Sequence, residues 1–195
     1  MIILRKVIIM DDKNYFSYLS KRSRLSLFIR RILLNEIKNY YHGKILDIGC
    51  GIGEFLSLYQ DSVGLDINFY TLKYCLEKGL TCLLSKVESL PFANSTFDGI
   101  FISNVLEHLI KPRTMMEEAV RVLKPLGIFV VTVPMRAGFE YDKTHVTYLD
   151  SVRLETLANN CGLVKNKMYS YPIRIKFMCD LLYFCELRGV FIKQE

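Results

Sequence analysis

One stretch constrains the fold more than any other: Lys44-Ile-Leu-Asp-Ile-Gly-Cys-Gly-Ile-Gly-Glu-Phe-Leu56. Ile45, Leu46 and Ile48 make a short apolar run of the kind that forms a buried strand. Gly49, Gly51 and Gly53 follow at alternate positions, and the chain beyond them reads as a helix over 54–59. Strand, glycine turn, helix is the opening of a nucleotide-binding βαβ unit. Glycine suits a backbone that must turn tightly and let a ligand approach with no Cβ in the way. A helix placed there presents unpaired N–H groups to whatever occupies the turn.

The spacing argues against a dinucleotide. That fingerprint is Gly-x-Gly-x-x-Gly, whereas here the third glycine arrives one residue early and Glu54 stands in its place. A carboxylate beside a pyrophosphate is repelled. Asp47, just before the glycines, brings a second negative charge, which suits a ligand carrying an ammonium and a sulfonium. Residues 46–53 resemble at every position the acidic-x-Gly-x-Gly-x-Gly motif of the class I S-adenosylmethionine (SAM) dependent methyltransferases. The resemblance implies an α/β fold: a Rossmann-like, doubly wound, mostly parallel sheet of six or seven strands with helices on both faces. It also implies SAM as cofactor, held by Asp47, Gly49, Cys50, Gly51 and Gly53.

At 195 residues the chain reads as a single domain over 1–195, large enough for a full core. Within it, 1–43 reads as a helical lid, 44–171 as the Rossmann-like core and 172–195 as an apolar tail. Hydrophobic residues make up 51%, which argues against disorder. No apolar run reaches the roughly 20 residues of a membrane span. Residues 1–10 are apolar but broken by Arg5 and Lys6 and followed by Asp11 and Asp12, with no cleavage signal. The six cysteines form no C-x-x-C pair and read as reduced thiols of a cytoplasmic protein rather than disulfides or zinc ligands. No metal is expected. The net charge of +6 mildly favours an anionic substrate or surface, though ordinary solvated lysine accounts for it better.

Residues 11–41 read as mostly helical, with Leu25, Phe28, Ile32, Leu33 and Ile37 on one apolar face. The basic residues Lys21, Arg22, Arg24, Arg30 and Arg31 read mainly as a solvated face. The resemblance implies that these helices close over the cofactor. Strands follow at 44–48 and 62–65, the second ending in Asp66. That acid lies about 20 residues past the glycine turn's start, where a carboxylate takes both hydroxyls of a ribose; the alternative is a helix N-cap for the segment after it. Ile67 adjoins it. A helix over 69–78, ended by Gly79, leads to a strand at 81–84.

Lys86-Val-Glu-Ser-Leu-Pro-Phe92 resembles the family's Asp-Ala-Glu-x-Leu-Pro-Phe, with Lys86 at the acid's position and the Val87 backbone left to meet adenine. Phe97-Asp98 precedes a strand at 99–103, which delivers Asn104-Val-Leu-Glu-His-Leu109 to the carboxyl edge of the sheet, where open α/β sheets bind ligands. Asn104 reads as lining the cofactor, and Asp98 as structural. A helix carrying Met115, Met116 and Ala119 ends in Arg121-Val-Leu-Lys-Pro-Leu-Gly127, similar to the family's Arg-Val-Leu-Lys-Pro-Gly-Gly with Leu126 in the first glycine's place. A strand at 128–133 follows. The loop after it holds Tyr141, Asp142 and His145 as substrate-binding candidates. Asp150-Ser151 caps a helix to Asn160, and a sixth strand begins near Leu163. The segment 164–177 reads as one strand, or two short ones around Pro172, which leaves open a reduced C-terminal hairpin. The tail 178–192 reads first as a core-packing or dimer helix and second as a peripheral membrane contact.

The implied chemistry is in-line displacement at the SAM methyl carbon. The sulfonium is already activated, so the protein's main task is to place the nucleophile in a site free of water. A base is needed only for a weakly acidic hydroxyl or a charged amine. His108 and His145 are the candidate bases, each with a structural alternative as a loop histidine. Glu107 reads as shaping the turn. Three functions compete: methyl transfer to a small-molecule, sugar or lipid-linked acceptor, at oxygen; methylation of RNA or protein; and a SAM-fold binding protein without catalysis. The first is favoured. An Asn-Pro-Pro-Tyr motif for nucleic-acid amino groups is absent, and Asn104-Val-Leu-Glu stands where it would be.

Overall fold

The structure, a computed structural model, describes residues 12–195, and the side chains of all of these except Arg24, Leu25, Ser26 and Ile29. The apolar segment 1–10 therefore lies outside the described residues. Two helices, α1 (Asp12–Ser20) and α2 (Arg24–Lys38), precede the sheet. The strands are β1 (Ile45–Ile48), β2 (Ser62–Asp66), β3 (Cys82–Leu84), β4 (Phe97–Ser103), β5 (Leu123–Pro134), β6 (Leu163–Tyr171) and β7 (Glu186–Lys193). The remaining helices are α3 (Phe69–Glu77), α4 (Pro112–Val122), α5 (Arg136–Tyr141), α6 (Ser151–Asn159) and α7 (Lys176–Asp180). The seven strands lie in the order β3-β2-β1-β4-β5-β7-β6. β1 to β5 run parallel; β7 is antiparallel to both β5 and β6.

Side-chain alternation along the central strands builds a core on each face. Ile45, Phe101, Val130 and Val190 point to one face and pack with Leu34, Ile37 and Tyr41 from α2 and its end. Their neighbours Leu46, Ile100, Ile102, Phe129, Val131 and Phe191 point to the other and pack with Met115, Met116, Ala119 and Val122 of α4 and Leu154 and Ala158 of α6. All these strand residues are at most 1% exposed, as a sheet covered on both faces requires.

Two expectations are corrected and one open alternative is decided. The segment 54–59 is not a regular helix but part of a run of turns over 51–58, although Ser57 N–H still donates to the Gly53 carbonyl (3.0 Å) and Tyr59 N–H to that of Phe55 (3.1 Å). Gly51 and Gly53 hold positive φ there, which breaks the helical path. The tail is not a helix: its 186–193 portion is β7, inserted between β5 and β6, so the hairpin is complete and the sheet has seven strands. Only the short α7 is helical in the tail. Of the two readings of 164–177, the single strand holds: β6 stops at Tyr171 before Pro172, a residue with no N–H to extend the ladder.

Leu126 has φ +60°, the left-handed conformation that a glycine would take without strain, and it is 62% exposed. Asp98 is structural: it accepts from the Lys44 N–H (2.9 Å) and pairs with Lys124 (2.6 Å), joining the starts of β1 and β5.

Candidate active site

Strand order reverses between β1 and β4, so the crevice beyond their carboxyl ends is where a ligand fits. Gly49, Gly51 and Gly53 line it with φ of +78°, +53° and +74°. A Cβ on Gly49 would fall 2.3 Å from a methyl of Val105, so only glycine lets this loop meet the segment after β4. The Gly49 and Cys50 N–H groups donate to the Leu65 carbonyl at 2.7 and 3.1 Å and pin the loop to β2.

Asp66 closes that side. Its two carboxylate oxygens accept from the Gly51 N–H (2.8 Å) and the Asn68 N–H (2.9 Å). Each oxygen keeps a second lone pair for a hydroxyl. The N-cap of α3 is Asn68, which accepts from Tyr70 and Thr71, so the capping alternative for Asp66 is excluded. Asp47 is 3% exposed, and burial first, then the nearby Asp66, pushes its carboxyl well above the usual range. A cationic ligand would relieve both acids. Ile67 leaves an apolar side chain 64% exposed beside the loop, while Val87 is buried and Asn104, at φ +52°, ends β4. Cradle and carboxylates fit the ammonium, sulfonium and ribose of SAM.

The N-terminal helices lie across this loop. A Cβ on Gly51 would meet a methyl of Leu19 of α1 at 3.5 Å, and Asn68 donates to the Asp12 carbonyl (2.9 Å). Arg22 and Arg30 both pair with Glu54, at 3.1 and 2.6 Å. These two cations are therefore engaged by the glycine loop, a role that sequence reading missed because the partners are far apart in the chain.

On the β4 side, a 3-10 turn over Leu106–His108 meets the loop after α5. The Val146 and Thr147 N–H groups donate to the Glu107 carbonyl (2.8 and 3.0 Å), and the Thr147 hydroxyl to that of Leu109 (2.6 Å). These bonds bring His145 against Glu107 and His108. The two imidazole rings are 4.7 Å apart, and His145 Nε2 stands 3.9 Å from a Glu107 oxygen. Glu107 is 1% exposed, neither of its oxygens has a partner among the described residues, and burial pushes its carboxyl up to about 8. His108 is pushed down by burial first and by His145 second.

Asp142 spends one oxygen on Thr144, through both N–H (2.8 Å) and hydroxyl (2.7 Å), and turns the other toward His145 at 3.9 Å. Tyr141 is 73% exposed and stacks on Tyr183. The structure thus unites His108, His145 and Asp142, places Tyr141 at the rim, and adds Glu107. A separate recess of about 530 Å³, lined by Lys38, Tyr41, His42 and Tyr59, opens near the amino ends of β1 and β2, away from this chemistry.

The fold is Rossmann-like, of the kind seen in methyltransferases. Residues 46–131 match the family described as a methyltransferase domain, and over that stretch the chain resembles the class I SAM-dependent methyltransferases. It is similar to an uncharacterised protein of Methanocaldococcus jannaschii, 38% identical over 126 residues, which cover 63% of this chain and 49% of that one. It is also similar to the tRNA (carboxymethyluridine(34)-5-O)-methyltransferase of Arabidopsis thaliana, 36% identical over 46% of this chain and 23% of that one. The chain spans about half, or less, of the length of these curated relatives. Among solved structures, a SAM dependent methyltransferase from Archaeoglobus fulgidus has the same fold, with a TM-score of 0.72 at 22% identity, covering 86% of this chain and 94% of that one.

Proposed function

We propose that the chain transfers the SAM methyl group to a hydroxyl oxygen of a small-molecule, sugar or lipid-linked acceptor. The observation that carries this is the Glu107–His108–His145 cluster, set at the carboxyl edge of the sheet next to the glycine loop. A sulfonium needs no acid to leave, so groups able to handle a proton here serve the acceptor, and a hydroxyl, like a charged amine, is an acceptor that needs them. Asp47, Asp66 and the three glycines hold the cofactor, and α1 and α2 close over it. Tyr141, Tyr183 and Phe184 leave apolar surface at the rim, 73%, 64% and 51% exposed, which suits an acceptor with an apolar body.

The basic N-terminal segment is what would support an RNA acceptor, and two of its cations, Arg22 and Arg30, are spent on Glu54. The test is transfer from methyl-labelled SAM to separate pools of hydroxylated small molecules, lipid-linked saccharides and RNA. Label in either of the first two pools, lost in His145→Ala, is expected. Label in RNA alone would overturn the reading.

A further inference from the structure

We propose that Glu107, His108 and His145 bind one divalent first-row metal cation, which receives the acceptor hydroxyl of the methyl transfer. This rests on the O-methylation reading above and adds to it how the hydroxyl is made reactive.

The side chains around the cluster fix which atoms are free. His145 Nδ1 lies 3.0 Å from the Phe139 carbonyl, and a carbonyl can only accept, so Nδ1 carries the proton and Nε2 holds the lone pair. Thr144 gives its hydroxyl proton to Asp142 (2.7 Å), so its oxygen accepts from His108 Nδ1 at 3.1 Å. His108 Nε2 is thereby left with its lone pair as well. Two neutral imidazoles, each oriented by a hydrogen bond from the far nitrogen, are how proteins prepare histidine as a metal ligand.

Glu107 supplies the third ligand. A carboxyl group with both oxygens buried and unpartnered among the described residues is costly in any protonation state unless something else meets it. One ligand atom from each of the three residues lies within 4.8 Å of the others. Three ligands about 2.0–2.2 Å from one ion at tetrahedral angles sit about 3.3–3.6 Å from one another, so the side chains close on it by drawing inward by up to about 1.5 Å. Glu107 is buried and His145 nearly so, while His108 is exposed, which leaves the solvent side of the ion open to exchangeable ligands. Nitrogen and carboxylate donors without thiolate suit Zn²⁺, Mn²⁺, Fe²⁺ or Co²⁺, and two imidazoles disfavour Mg²⁺.

The transfer then balances as follows. The acceptor hydroxyl replaces a water on the ion, which stabilises its alkoxide, and its proton passes to solvent. The oxygen attacks the SAM methyl carbon, a C–O bond forms, and the carbon–sulfur bond breaks. Its electron pair leaves on the neutral thioether, S-adenosylhomocysteine.

The experiment uses the purified full chain, stripped with chelator and titrated separately with Mn²⁺, followed by electron paramagnetic resonance, and with Co²⁺, followed by its electronic spectrum. One equivalent of each is expected, with no thiolate charge-transfer band from Co²⁺. Glu107→Gln and His145→Ala should each weaken Mn²⁺ binding at least about tenfold, and Thr144→Val, which frees His108 to turn, should weaken it measurably as well. SAM binding by calorimetry should stay within twofold in all three, which also checks that they fold. Failure of the wild type to bind Mn²⁺ or Co²⁺, or retention of wild-type affinity in Glu107→Gln and His145→Ala, overturns the metal site. Chelator-insensitive transfer to a hydroxyl would do the same while leaving the O-methylation reading intact.

Discussion

Asp66 shows how one side chain does two jobs in the site. It holds the glycine loop through Gly51 N–H and the start of α3 through Asn68 N–H, and it keeps lone pairs free for the ribose hydroxyls of the proposed cofactor. Hydrogen bonds to a charged group contribute about 1.5–3 kcal/mol each, so Asp66→Ala should weaken SAM binding about 10- to 150-fold in a calorimetric titration. Asp66→Asn keeps one oxygen acceptor and should fall between Asp66→Ala and the wild type. Equal affinity in all three proteins would remove Asp66 from the cofactor site. The place of Asp66 at the end of β2, beside the glycine loop, was legible in the sequence because it follows from the glycine turn and the strand after it. Glu107 was not, because its burial depends on a loop about 40 residues further on, whose Val146 and Thr147 N–H groups bond to its carbonyl.

At the scale of elements, Asp98 joins β1 to β5 before either begins its buried run. Lys124 first, then the Lys44 N–H, hold its carboxyl below the usual carboxylate range. A depressed folded pKa means that the charged form favours folding. The contribution is whole above the unfolded value, about 3.9, and is lost as pH falls through the lower folded value. Denaturation midpoints of the wild type should therefore fall between about pH 4 and the acid limit more steeply than those of Asp98→Asn, which cannot titrate there. Matching slopes would mean that the pair with Lys124, a third or more exposed on both sides, contributes nothing. The parallel strands were legible because each is a local apolar run beside its own turn or helix. β7 was not: a short, fully buried run cannot be told from a helix segment by period, and its partner positions, such as Val130 for Val190, are distant in the chain. The segment 54–59 failed in the opposite sense, since helical spacing was present but Gly51 and Gly53 set the backbone elsewhere.

At the scale of the whole molecule, a buried cation ties α2 to the β6–β7 hairpin. Arg188, on β7, is 1% exposed and pairs with Glu186 on its own strand (2.6 Å) and with Glu36 of α2 (3.1 Å), while its guanidinium lies over the Tyr171 ring at 3.7 Å. Glu36 also takes Arg174 (2.9 Å) and the Tyr169 hydroxyl (3.1 Å), so α2 is clamped to the β6–β7 hairpin. The helix whose upstream end meets the glycine loop is thus fixed at its downstream end by the last strand of the sheet. Removing one member of a buried pair strands the other's charge, at a cost of about 3–5 kcal/mol. Arg188→Met keeps the volume and should cost near the lower end of that range, because Glu36 retains Arg174 and Glu186 is the main group left unpaired. Glu186→Gln added to Arg188→Met should recover part of the loss, which urea denaturation of the two single variants and the double variant would measure as a coupling energy. The same variant distinguishes a clamp from a local pair. If Arg188 holds α2 on the hairpin, amide exchange in α2 should quicken in Arg188→Met more than in α4 or α6, on the far face of the sheet. A uniform rise across all three helices would instead assign Arg188 to global stability alone.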